Sequence, residues 1–299
     1  MQGNLFGEVL AETERALRAD GRVALCQIVR AEGSTPGKPG WKLMVRADGR
    51  ALGNLGGGAF EALVKVDAEA LLRNGTGAGL GAPRAEPAVK RYYFTEKAVR
   101  GEPTGMVCGG FADVFLEVLS AAPLLLICGG GPVGQALARG AVVAGFEVAV
   151  ADDRDEFLRP ELFPAGARVL RVSRDYREPF LADLGSRELA VAIVTRCWET
   201  DTAALAGVLR QAPAGLRYLG LMGSRRKIAR VRAEVEKLGL GLDRVRLYAP
   251  IGLPLGGNSP GEIAIAILAE VVQVRNAAEA GSRLESMEEL AQMAEGGDS

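Results

Sequence analysis

Residues 124–140 read LLLICGGGPVGQALARG: five apolar residues, a glycine cluster, then a helix-forming run. The apolar run has the character of a buried strand, and Gly129-x-Gly131-x-x-Gly134 follows it directly. A lone glycine triplet of this kind says little. Set between a strand and a helix, and followed by a second strand ending in an acid, it forms a mechanical unit. The next strand-like run, EVAVADDR (147–154), carries that acid twice, as Asp152 and Asp153. In such a unit the glycines allow a tight turn and close backbone approach, the helix start receives a phosphate, and the acid accepts hydrogen bonds from a ribose diol. Gly129, Gly131, Gly134, Asp152 and Asp153 are therefore candidate cofactor-binding residues. Fold and ligand remain separable, since the same glycines also let helix and sheet pack closely.

Downstream the rhythm continues. LLLIC, EVAVA, ARVLRV, LAVAIVT, RYLGLM and VRLYA are six short apolar runs separated by helical or turn-rich segments, the pattern of a parallel sheet covered on both faces. Ser259, Pro260 and Glu262 spell a capping box with proline at the first helical position, and an apolar helix should run on to Val274. Upstream, apolar residues at helical spacing from Leu5 to Leu17 predict an amphipathic helix with Thr13 in its apolar stripe. Strands are expected at Val23–Val29, on both sides of Asp48-Gly49, at Val89–Phe94 and at Ala112–Leu119, with a helix over Phe60–Leu72. The segment 74–87, rich in Gly, Ala and Pro, reads as a surface loop. The fold class is α/β. A small α+β domain (1–119) should precede a Rossmann-like, doubly wound parallel-sheet domain (120–276), with a C-terminal helix and tail (277–299); Ser120–Pro123 reads as the hinge.

Composition narrows the chemistry. The 299 residues are 48% hydrophobic and 24% charged, with a net charge of -1, so no basic surface is available for a polyanionic backbone and nucleic acid is not an expected partner. No run of eighteen apolar residues suggests a membrane span. Cys26, Cys108, Cys128 and Cys197 are widely spaced and form no C-x-x-C pair, and acidic Glu8, Glu12 and Glu14 stand where a signal peptide needs an apolar core. Free thiols and a cytoplasmic location are expected. The chain contains no histidine, which excludes Ser–His hydrolases, His-based zinc sites and His-assisted dehydrogenases together. Tyr93-x-x-x-Lys97 has the spacing of a tyrosine–lysine oxidoreductase pair, but it precedes the glycine fingerprint and reads as a strand end.

Three further stretches stand out. Gly56, Gly57 and Gly58 lead into a helix bearing Glu61 and expose backbone N–H groups suited to an anion. Cys108 is followed by Gly109 and Gly110. In GLMGSRRKIAR (220–230), Gly223 and Ser224 open a helix whose first turn holds Arg225, Arg226 and Lys227. The helix dipole opposes cations there; an anion that offsets the repulsion and a solvated charged face are the two readings the residues leave open. Together the clusters favour a cleft between the two halves of the chain.

EGSTPGKPG, GNLGGGAFE and TGMVCGGFADVFLE resemble the N-terminal half of the xanthine dehydrogenase accessory protein family (XdhC/CoxI). LLLICGGGPVG, VADDR, VTRCWETD, YLGLMGSRRK and YAPIGLPLGGNSPGEIAIAILAEVV resemble its Rossmann half, in the family's order, from about Val23 to Val272. The resemblance implies binding of the molybdenum cofactor (molybdopterin, alone or as a cytidine dinucleotide), its protection while a sulfido ligand is installed, and its delivery to a xanthine dehydrogenase-type molybdenum hydroxylase. The implied partners are that apoenzyme, a sulfurtransferase and a second copy of the chain, with Cys108 at the molybdenum end as the metal-side residue. The chain departs from the family pattern at Ala59, at Cys197-Trp198 and at Tyr248, where Cys or His, Gly-His and His are frequent. The competing expectation is an NAD(P)-dependent oxidoreductase with Asp152 or Asp153 on the ribose. A third is an interaction protein with vestigial glycine motifs.

Overall fold

A computed structural model of the chain describes residues 2–74, 86–94, 102–103, 109–184, 187–213, 215–242 and 245–276. The chain divides at Ala121/Ala122 into two compact units. The expected loop at 74–87 falls mainly, and Lys97, Cys108 and the tail 277–299 fall entirely, outside the described residues.

The first unit contains α1 (Gln2–Asp20), β1 (Arg22–Glu32), β2 (Lys42–Arg46), β3 (Ala51–Gly53), α2 (Gly58–Asn74), β4 (Ala88–Tyr93), β5 (Glu102–Pro103) and β6 (Phe111–Ser120). Its sheet runs β3-β2-β1-β6-β4-β5, antiparallel except for β4 and β5. Alternation along β1 sends Ala24, Cys26 and Ile28 to α2, whose Phe60, Val64 and Ala68 meet them. Val23 turns the other way, to Val9 and Ala16 of α1. Phe60 anchors α2 by edge contacts with Tyr92 and Phe94 at centroid distances of 5.4 and 5.1 Å. Thr13 is tolerated in the apolar stripe of α1 because its hydroxyl donates to Val9 O at 2.7 Å.

The second unit contains β7 (Leu124–Cys128), α3 (Pro132–Val143), β8 (Glu147–Asp152), β9 (Arg168–Arg171), β10 (Leu189–Ile193), α4 (Trp198–Gln211), β11 (Leu216–Leu221), α5 (Arg225–Lys237), β12 (Leu247–Tyr248) and α6 (Pro260–Arg275). All six strands are parallel in the order β12-β11-β10-β7-β8-β9, the doubly wound Rossmann arrangement. Each apolar run identified in the sequence supplies one strand. β7 and β10, at the centre, are buried at every position. Their alternate side chains face α4 and α5 on one side (Leu126, Cys128, Val191) and α3 and α6 on the other (Leu125, Ile127, Ala192). The capping box of α6 forms as expected, with Ser259 Oγ accepting from Glu262 N and Glu262 accepting from Ser259 N. No helix among the described residues is long and apolar enough to cross a membrane.

Candidate functional site: the carboxyl edge of the parallel sheet

The helices of a parallel sheet begin at the carboxyl ends of its strands, so their electropositive N-termini gather at one edge. Here that edge collects the turn after β7, Asp153 and Arg154 after β8, Thr195 to Trp198 after β10, and Gly223 to Arg226 after β11. The order reverses between β7 and β10, the switch point where doubly wound sheets take ligands.

The glycine turn has a steric basis. Gly129 has φ +117°, and a Cβ there would lie 2.7 Å from Val194 O. A Cβ on Gly134 would lie 2.0 Å from Gly129 O, so its absence lets α3 seat on β7. Gly131 differs: it is the N-cap of α3, offers no side chain to the first turn, and has open space where a Cβ would stand.

The two acids after this turn have separate fates. Asp152 is 2% exposed and accepts four hydrogen bonds: from Gly130 N (2.7 Å), Arg154 N (3.0 Å), Arg154 Nε (2.9 Å) and Arg154 Nη2 (2.9 Å). A carboxylate has about four acceptor sites. All are taken inside the protein, so Asp152 holds the glycine turn in place and has nothing left to offer a ribose diol. Asp153 instead forms a bidentate pair with Arg196, at 2.6 and 2.8 Å. The Arg196 guanidinium holds the Asp153 carboxyl below the usual carboxylate range. Since the folded value lies below the unfolded value of about 3.9, the stabilisation is complete above roughly pH 4 and is lost as acid protonates Asp153. The difference in thermal midpoint between the wild type and Arg196→Gln should be widest near neutrality and should narrow as the pH is taken below about 4.

The three cations of the GSRRK stretch do not all act together, because Lys227 lies about 200° around the helix axis from Arg225. Ser224 caps α5 by accepting from Lys227 N. Lys227 turns to α4 and pairs with Asp201, which is fully buried and also accepts from Thr195 Oγ1 at 2.6 Å. Burial raises the Asp201 carboxyl, with Lys227 and Thr195 pulling it back. Arg225 lines an open groove of about 480 Å³ with Arg232, Glu236 and the small residues Ala229 and Ala233. Arg225 and Arg226 are exposed and form no ion pair among the described residues. Part of the counter-charge inferred from the sequence is therefore internal, and two guanidinium groups stay available. Gly223 lies against the Lys227 stem, where a Cβ would approach Cδ to 2.9 Å.

In the first unit the glycine motifs converge. Gly37 and Gly56 pack backbone to backbone, a Cβ on Gly37 falling 2.1 Å from Leu55 O. Ser34 bridges to Gly109, and Gly110 lies against Glu32 and Ser34. The anion nest at Gly56, Gly57 and Gly58 is met from within: Glu61 Oε2 accepts from Leu55 N (2.9 Å) and Gly57 N (3.3 Å), and Asn54 Oδ1 accepts from Gly56 N (2.6 Å). Glu61 is thus the anion of this nest rather than a neighbour of one. The sequence alone does not reveal the acceptor role of Asn54 or the pairing roles of Thr195, Arg196 and Asp201. Their only signal is polar residues clustered just after apolar strands.

The described cysteines are free. Burial pushes the Cys26 thiol up to about 12 and raises that of Cys128. Cys197 is the N-cap of α4, with Sγ 2.9 Å from Thr200 Oγ1. Among the described residues no group of three or more His, Cys, Asp or Glu side chains is placed to hold a metal ion.

Residues 125–271 match the family model described as the XdhC Rossmann domain, and residues 16–80 match that of the XdhC and CoxI family. The uncharacterized protein YqeB of Escherichia coli (strain K12) is 35% identical over 264 residues, covering 86% of this chain and 44% of the relative. A probable xanthine dehydrogenase subunit from Bacillus subtilis (strain 168) is 27% identical over 164 residues, covering 54% of this chain and 46% of the relative. The chain thus spans less than half the length of these curated relatives. A crystal structure of a xanthine dehydrogenase from Bacillus halodurans shares 20% identity and a TM-score of 0.43, covering 90% of this chain and 96% of that one.

Proposed function

The chain belongs to the XdhC family, and from that premise we propose that it serves the maturation of a xanthine dehydrogenase-type molybdenum hydroxylase, holding the molybdenum cofactor and passing it to the apoenzyme. The observation that carries this reading is the pair of exposed guanidinium groups, Arg225 and Arg226, on the first turn of α5. They stand at the same sheet edge as the N-termini of α3 and α4 and the open side of Gly131. A terminal phosphate, or a pyrophosphate joining a nucleotide, satisfies both the helix dipoles and the guanidinium forks. The cofactor is cargo here: Arg225 and Arg226 would bind its phosphate oxygens, and Gly131 would allow close approach of the backbone. Cys108, at the molybdenum end, belongs to the same proposal. So do a sulfurtransferase and a second copy of the chain as partners. The oxidoreductase alternative is disfavoured by Asp152, whose acceptor sites are filled.

The test is anaerobic purification from a host that makes the cofactor, followed by metal analysis and pterin fluorescence. Molybdenum and pterin are expected in comparable amounts. Replacing Arg225 and Arg226 together by alanine removes two charge-assisted contacts, each worth about 1.5–3 kcal/mol, and should lower affinity at least tenfold. A folded wild type that retains no pterin defeats the reading, and unchanged affinity in the double variant removes α5 from the site.

A further inference from the structure

The glycine turn is enclosed from both sides by the chains leaving its neighbouring strands. Gly129 N donates to Ala151 O at 2.9 Å on the β8 side, and Val194 N donates to Cys128 O at 2.9 Å on the β10 side. Asp153 is the first residue past β8 and Arg196 the third past β10. Their bidentate pair consequently spans the turn at the switch point of the sheet, where an incoming anion has to arrive.

Two features mark this pair as exchangeable. The neighbouring Asp152 is locked by four donors at 2% exposure, whereas the Asp153 side chain is 12% exposed and, among the described residues, bonds no side chain other than Arg196, itself 35% exposed. The helices flanking the switch point also lack side-chain caps. Gly131 and Cys197, the N-caps of α3 and α4, make no side-chain capping bond, while α5 and α6 are closed by Ser224 and Ser259; at α4 the Glu199 carboxylate meets its own backbone N–H, so α3 is the flanking helix left open. First-turn N–H groups without a side-chain cap are satisfied by water or by an outside acceptor.

We propose that Arg196 is the phosphate-binding residue of this turn and that Asp153 is its resident counter-ion, displaced when a phosphate or pyrophosphate enters. A phosphate presents oxygens to a guanidinium in the same two-point geometry as a carboxylate. It differs in reaching the open first turn of α3 as well, which gives it the advantage over Asp153. The inference rests on the reading that the second unit holds a phosphorylated guest. It adds a residue and a competition that make the site selective, because a monocarboxylate that matches Asp153 has no reason to replace it.

Titration of the full chain with inorganic pyrophosphate at fixed ionic strength, followed by calorimetry, tests the exchange. Removing the internal competitor in Asp153→Asn should tighten binding by more than about tenfold, the low end of the coupling measured for close charge pairs at interfaces. Arg196→Gln should weaken it at least tenfold, and the double variant should behave like Arg196→Gln, because the gain depends on the freed guanidinium. Binding by Asp153→Asn that is equal to or weaker than wild type overturns the proposal, as does the absence of measurable binding in both. Should Asp153→Asn not fold, Asp153→Ala carries the same expectation. On the wild type, the Asp153 carboxyl signal followed by NMR should titrate at higher pH with saturating pyrophosphate than without; an unmoved titration also overturns it. If pterin retention fails while this series holds, the cofactor reading falls and the exchange stands. The reverse outcome removes the exchange alone.

Discussion

Replacing Lys227 by methionine is expected to destabilise the second unit by about 3–5 kcal/mol, the usual cost of orphaning one partner of a buried ion pair. Asp201 is fully buried on the first turn of α4, and Lys227 is its sole ion-pair partner among the described residues. Methionine replaces the aliphatic stem, so the loss is electrostatic. The Thr195 hydroxyl, donating to Oδ1 at 2.6 Å, cannot neutralise a carboxylate. Burial already raises the Asp201 carboxyl, with Lys227 opposing, and without Lys227 its folded value rises further. A raised folded value makes the penalty large at high pH and removes it as pH falls and the group takes up its proton. Urea unfolding at pH 8 should therefore show the full loss, and at pH 4 a much smaller one. Adding Asp201→Asn should restore most of the stability, because no buried charge is then left unpaired. A Lys227→Met protein that unfolds with the wild-type midpoint at pH 8 would show that this pair does not hold α5 to α4.

Gly134→Ala should cost at least about 3 kcal/mol, the upper range for overpacking a tight site. The added methyl group would stand 2.0 Å from Gly129 O and 3.3 Å from Ile127 Cγ2. Backbone cannot rotate away as a side chain can, so α3 would have to lift from β7 and carry the glycine turn with it. Gly131→Ala is the internal comparison. Gly131 has φ -68° and open space around the Cβ position, so its stability should change by less than about 1 kcal/mol. The same methyl group would face an arriving phosphate, and Gly131→Ala should weaken pyrophosphate binding while leaving the unfolding curve nearly intact. Thermal melts paired with titrations separate the two glycines. Equal stability losses would mean that Gly131 is packed as tightly as Gly134 and has no open side to offer a ligand.

The parallel sheet is legible in the sequence because its signals are local. Each strand of the second unit is a short apolar run, and Gly129-x-Gly131-x-x-Gly134 marks a place where strand and helix must touch. The capping box at Ser259 is equally readable, since all its partners lie within four residues. In the first unit the hairpin around Asp48-Gly49 is visible from the turn dipeptide, and Gly49 has φ +81° there. β5, two residues long, carries no periodicity to read.

The assignment of charges is not legible in the same way. Asp152 and Asp153 look alike in the sequence, yet side chains of successive residues at a strand end point in opposite directions. One is buried beneath the glycine turn, and the other meets Arg196, 43 residues away. Glu61 reads as part of an anion site and is itself the anion, because α2 places its carboxylate against Leu55 N and Gly57 N. Lys227 reads with Arg225 and Arg226, but one residue of helical rotation delivers it to Asp201 on another helix. By itself, then, the sequence determined the strands, the glycine contacts, the helix caps and the family, all of which depend on residues close along the chain. Only the tertiary structure decided which charges are spent inside the protein and which remain for a ligand, because that depends on partners from distant segments and on the direction in which each backbone turns its side chains.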